Sequence, residues 1–158
     1  MKKDKDIFFE AIRLNDIDRI KALLNICPQL LSEKDARGFT PLILATYFDN
    51  EMITDVLIQN KADVNEKDAS GNTPLIGVSF KGNTALANTL IAHGADVNAV
   101  NNNGTTALSF ATQYNKLAIV ELLLEHHADK AVKDNEGQTA LDYAKDKGFT
   151  AIVSVLES

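Results

Sequence analysis

Residues 71–98 read GNTPLIGVSFKGNTALANTLIAHGADVN, and the fold turns on whether this stretch stands alone. It does not. Its opening string, G-x-T-[PA]-L, occurs four times, as GFTPL (38–42), GNTPL (71–75), GTTAL (104–108) and GQTAL (137–141), each 33 residues after the last. Its closing string keeps the same step, as ADVN at 62–65 and 95–98 and, degraded, as Ala128-Asp129. Asp35, Asp68, Asn101 and Asp134 stand in step ahead of each G-x-T. Two motifs in phase over four copies identify a repeat array, whose units bury their apolar faces against neighbours.

Each recurring residue has a physical task. Thr40, Thr73, Thr106 and Thr139 are placed to cap helices, their hydroxyls accepting from amides that lack helical partners. Pro41 and Pro74 then fall at the first helical position, where the missing N–H costs nothing. The pattern predicts short first helices over 41–48, 74–81, 107–114 and 140–147. Second helices carry apolar residues at Ile53/Leu57/Ile58, Leu86/Leu90/Ile91, Ile119/Leu123/Leu124 and Ile152/Leu156, one buried stripe. Between the two helices of each unit stands Asn15, Asp49, Gly82, Asn115 or Gly148, the residue types that best tolerate a left-handed backbone.

That column decides a competing reading. Residues 77–84, GVSFKGNT, fall one residue short of the phosphate-binding pattern G-x-x-x-x-G-K-[ST], with Asn83 in place of the lysine. A nucleotide-binding enzyme built on 77–84 is therefore the remote functional alternative. However, Gly82 belongs to the inter-helix column, and Gly77 aligns with Leu44, Phe110 and Tyr143 inside the first helix. A phosphate loop must also join a strand to a helix, and no strand is expected ahead of residue 77. The glycines read as structural.

The repeat resembles the ankyrin family, whose unit is about 33 residues with a T-P-L-H-x-A signature. TPLILA (40–45), TPLIGV (73–78), TALSFA (106–111) and TALDYA (139–144) carry the likeness, completed by the tails VLIQNKADVN (56–65), TLIAHGADVN (89–98) and LLLEHHADKA (122–131). The resemblance implies an all-α ankyrin-repeat solenoid of about five helix-turn-helix repeats joined by β-hairpin-like loops. Its expected units are 4–34 as N-terminal cap, 35–67, 68–100, 101–133, and 134–158 as C-terminal cap, forming a single domain. Ile43, Ile76, Ser109 and Asp142 replace the signature histidine, so its hydrogen bond to the capping threonine is expected to be lost. Lys61 and His127 replace the helix-ending glycine kept as Gly94, each at about 1 kcal/mol if its φ is positive. Glu157 stands where Ile58, Ile91 and Leu124 would face a next repeat, so the array is expected to be complete.

Composition narrows the function. The 158 residues carry a net charge of −6, which argues against nucleic acid and against an anionic membrane surface. Cys27 is the only cysteine, so no internal disulfide forms, and a cytoplasmic location is expected. No apolar run approaches a membrane span, and the N-terminus lacks the pattern of a signal peptide. His126 and His127 are adjacent, about 100° apart on a helix, and His93 is one repeat away, so the three read as solvated helix-end residues. Cys27 reads as a small buried filler. Ser79 lies outside any nucleophile elbow. No catalytic, metal or cofactor site is legible, and a non-enzymatic protein is expected.

The resemblance implies that partners dock on the concave face, at hairpin tips and first-helix ends. Those columns give a candidate partner-binding set: Arg37, Phe39, Tyr47, Phe48, Asn72, Phe80, Lys81, Asn103, Gln113 and Tyr114. Five of the ten aromatic residues fall there, and aromatics with arginine are the usual carriers of binding energy. Residues 68–100 hold only Asp68, Lys81 and Asp96 as charges, the pattern of an interface centre with a charged rim. Phe48 and Tyr114 fit either partner contact or packing between first helices. The expected activity is protein–protein binding to one partner of unknown identity. The alternative is weak self-association into a homo-oligomer through the same strip.

Overall fold

The computed structural model describes residues 2–158. Five antiparallel helix pairs follow one another: α1 (Lys2–Arg13) with α2 (Ile17–Ile26), α3 (Pro41–Tyr47) with α4 (Glu51–Gln59), α5 (Pro74–Lys81) with α6 (Thr84–Ala92), α7 (Ala107–Gln113) with α8 (Leu117–Glu125), and α9 (Ala140–Lys147) with α10 (Thr150–Glu157). A 3₁₀ turn at Pro28–Ser32 links the first pair to the second. The first helices pack more closely on one another than the second helices do.

The capping expected from sequence is present. The Thr40, Thr73, Thr106 and Thr139 hydroxyls accept from the backbone N–H three residues on, and Pro41 and Pro74 open their helices. Asn15, Asp49, Gly82, Asn115 and Gly148 all have positive φ, between 57° and 84°, so each first helix ends in a left-handed residue. Lys61 and His127 adopt the same conformation, at φ 75° and 65°. In the second helices the stripe is narrower than expected. Ile53, Leu57, Leu86, Leu90, Ile119, Leu123, Ile152 and Leu156 are buried, whereas Ile58, Ile91 and Leu124 are half-buried. The stretch 77–84 is helix, turn and helix start, with Gly77 inside α5 and Gly82 as its left-handed cap.

Two hydrogen-bond seams lock the pairs together. At each hairpin tip the Asp35, Asp68, Asn101 or Asp134 side chain accepts from the amides two and four residues on, at 2.9–3.0 Å. The tips then bond to one another: Asn102 N–H donates to Ser70 O and Asn135 N–H to Asn103 O, both at 3.0 Å. At the other seam the ADVN asparagines reach forward, Asn65 Oδ1 accepting from Asp96 N–H at 2.7 Å and Asn98 Oδ1 from Asp129 N–H at 2.8 Å. The loops are hairpin-like only in outline. Among the described residues the sole β pairing is the isolated bridge between Val100 and Thr106.

One expectation is corrected at the last pair. Asp142 stands in the signature-histidine position, yet its carboxylate accepts from Thr139 N–H at 2.9 Å while Thr139 Oγ1 accepts from Asp142 N–H at 3.2 Å. A reciprocal capping box therefore restores a side-chain link at this threonine.

Candidate partner-binding face

Ring contacts and one groove link Phe39, Tyr47, Phe48, Phe80 and Tyr114 at the first-helix ends and hairpin tips. Four of the rings remain open to solvent: Tyr47 at 46%, Phe48 at 58%, Phe80 at 38% and Tyr114 at 50% exposure. They are held in two groups. Tyr47 stands between Phe39 (ring centroids 5.9 Å) and Phe48 (5.3 Å, edge-on). Phe80 meets Tyr114 edge-on at 4.7 Å. Edge-on and offset pairs are the favoured geometries of ring quadrupoles, so each group is a preset surface and not a set of loose rings.

The cations serve the rings. Arg37 lies 4.6 Å over the Phe39 ring and pairs with Asp35 at 3.2 Å, so guanidinium, ring and carboxylate form one assembly. Lys81 reaches back across the pair boundary to Asp49 at 2.9 Å and to the Tyr47 carbonyl, with its ammonium 5.1 Å from the Tyr47 ring. Burial pushes the Asp35 carboxyl up, but the Phe39 and Arg37 amides and the Arg37 guanidinium outweigh it and hold it below the usual carboxylate value. Asp49 is likewise held low against burial, by Asn83 and Lys81.

The polar members divide. Asn103 is exposed at its tip. Asn72 is half-buried, its Oδ1 accepting from Asn101 Nδ2 at 3.0 Å, and Gln113 donates from Nε2 to Ser109 Oγ at 3.1 Å. Asn72, Gln113, Lys81 and Arg37 thus carry intramolecular bonds of their own. Of the residues set aside on sequence, His93 and His126 are exposed helix C-caps and Cys27 is buried, its Sγ 3.3 Å from Gln29 Oε1.

Sequence columns missed three contributors. Phe110 lies 6.5 Å from Phe80 and 6.2 Å from Tyr114, completing the second ring group. Between the two groups runs a groove of about 260 Å3, bounded by Phe39, Tyr47 and Phe80, with Gly77 and Asp68 among its lining. The signal was the column Leu44, Gly77, Phe110, Tyr143, in which one member has no side chain.

The family model described as ankyrin repeats (3 copies) matches residues 8–100 and again 75–157, nearly the whole chain. The chain belongs to the ankyrin-repeat family. Ankyrin repeats are generally protein–protein interaction modules, typically without enzymatic activity. No curated protein matches this ankyrin array. No helix among its described residues is long and apolar enough to cross a membrane.

Proposed function

We propose that this ankyrin array is a non-enzymatic module that docks one protein partner on its ring-lined face, spanning the hairpin tips and first-helix ends of the second, third and fourth pairs. The observation that carries the reading is the exposure of Tyr47, Phe48, Phe80 and Tyr114, which ring contacts and a shared groove link to one another. Contiguous exposed apolar surface marks interaction sites in soluble proteins. Arg37, Phe39, Asn72, Lys81, Asn103 and Gln113 frame those rings and set specificity, while the rings supply affinity. The units of the array are 4–34, 35–67, 68–100, 101–133 and 134–158, in the cytoplasm, where a lone cysteine is at home.

The test replaces Phe48 and Phe80 by alanine, singly and together, and measures both melting and capture of partners from the native lysate. Lost capture with an intact melting curve supports the reading. Lost folding, or unchanged capture, removes it. Light scattering over a wide concentration range separates the homo-oligomer alternative, which a monomer throughout excludes.

A further inference from the structure

Seven of the eight glycines have left-handed φ; Gly77 alone does not. Gly77 lies inside α5, where glycine costs about 1 kcal/mol against alanine. A Cβ built there would meet nothing within 4 Å. Neither backbone nor packing calls for glycine at this position. Its effect is to leave the groove open.

The second pair carries the buried Leu44 at the equivalent position, and the fourth and fifth pairs carry rings there. In the fourth pair Phe110 occupies it, packed on Phe80. In the fifth pair Tyr143 occupies it, and its hydroxyl donates to Asp134 Oδ2. Asp134 lies nine residues before Tyr143, as Asp68 does before Gly77. Asp68 uses Oδ1 to hold its own turn, through Ser70 and Asn72 N–H at 2.9 Å. Its other oxygen has no donor among the described residues. The remaining hairpin residues are all doubly engaged: Asp35 by Arg37 and Arg13, Asn101 by Asn72, Asp134 by Tyr143.

We propose that the groove over Gly77 receives a tyrosine side chain of the partner protein, its ring between Phe39, Tyr47 and Phe80 and its hydroxyl donating to Asp68 Oδ2. The protein's own Tyr143–Asp134 arrangement is the template, supplied in trans at the one position of the column Leu44, Gly77, Phe110 and Tyr143 that has no side chain. The size fits: a cavity of roughly 150 Å3 already takes benzene, and this groove is about 260 Å3. A hydroxyl donating to a carboxylate is a charge-assisted bond, stronger than a neutral one. The inference rests on the partner-binding reading of this face and names the side chain it selects.

The test is an amide-resolved NMR titration of the whole chain with N-acetyl-tyrosinamide, and separately with N-acetyl-phenylalaninamide. Saturable shifts centred on Asn72, Gly77 and Phe80, at least about fivefold tighter for the tyrosine compound, are expected. Gly77→Tyr supplies the ring from within and abolishes them. Asp68→Asn keeps its turn, as Asn101 does in the next tip, and loses the preference for tyrosine over phenylalanine. Absent or unsaturable shifts, equal affinity for the two amides, shifts centred elsewhere, or wild-type binding by Gly77→Tyr each overturn the proposal. Capture that depends on Phe48 and Phe80 without tyrosinamide binding overturns this inference alone and leaves the broader docking face in place.

Discussion

Alanine placed at three glycines is expected to change stability in three different ways, and the differences follow from geometry. At Gly77 the backbone is helical and a Cβ meets nothing within 4 Å, so Gly77→Ala gains helix propensity, a stabilisation of roughly 0.5–1 kcal/mol. At Gly137 a Cβ also meets nothing, but φ is +78°, so Gly137→Ala loses about 1 kcal/mol to the left-handed clash alone. At Gly71 φ is +80° and the Cβ would lie 2.5 Å from Asn102 Oδ1 and 2.8 Å from Asn102 N. Asn102 must then move, and it carries two bonds to the preceding tip, N–H to Ser70 O and Nδ2 to Ala69 O, both 3.0 Å. At about 1 kcal/mol per bond added to the backbone penalty, Gly71→Ala loses roughly 3 kcal/mol. Urea unfolding at a constant slope measures the series, and thermal midpoints should follow at roughly 2–4 °C per kcal/mol. Equal losses at Gly71 and Gly137 would refute the claim that the hairpin seam couples neighbouring pairs. Destabilisation by Gly77→Ala would refute the claim that this position is open.

Further outcomes follow from the same contacts. Asp35 and Asp134 have folded pKa values held below their unfolded value of 3.8, so the stability they contribute is present above that pH and lost as pH falls through the folded value. Asp35→Asn and Asp134→Asn should therefore be less stable than wild type near neutrality, with the gap closing in acid; a gap constant with pH in urea titrations contradicts this. Hydrogen bonding to Asp134, then burial, pushes the Tyr143 hydroxyl up to about 12, so its contribution is complete below its unfolded value of 10.0 and lost as pH rises through the folded value. Ultraviolet phenolate titration should show one late tyrosine, absent in Tyr143→Phe, and a late tyrosine surviving that substitution rules the assignment out. Lys61→Gly and His127→Gly should each raise stability by up to about 1 kcal/mol by relieving positive φ, and a lower urea midpoint would count against strain at these ends.

Much of the fold was legible because the repeat converts local chemistry into a column. Four threonines in step announce four helix starts, and five left-handed residues in step announce five turns, since each acts within a few residues of its own position. The seams were less legible. Asn65 and Asp96 are 31 residues apart, and nothing in the ADVN string alone says that the asparagine reaches forward to the next aspartate amide. At Thr139 the signature points to a histidine as partner, whereas the Asp142 carboxylate, three residues after the cap, closes a reciprocal capping box there. The ring columns were readable as positions, but their grouping into two clusters with a groove between them depends on Phe110 being present and a side chain at Gly77 being absent.

The division between seam and surface explains how one scaffold can hold its shape while its tips vary. The hairpin aspartates and Asn101 spend one side-chain oxygen on the amides of their own turn, and the tips meet one another through backbone groups together with the Asn101, Asn102 and Asn135 side-chain amides. Asn103 gives only backbone groups to this seam and Phe48 gives none, whereas the Tyr114 ring packs on Phe80 of the preceding pair. Asn72 and Lys81 differ, because their side chains bridge to Asn101 and to Asp49 in a neighbouring pair. Substitution there disturbs packing and face together, so a loss of binding at either position carries no information about contact with a partner. Among the described residues Phe48 makes no hydrogen bond to a neighbouring pair, and it is the most exposed of the rings, which is why it, and not Lys81, is the position where binding and folding can be read apart.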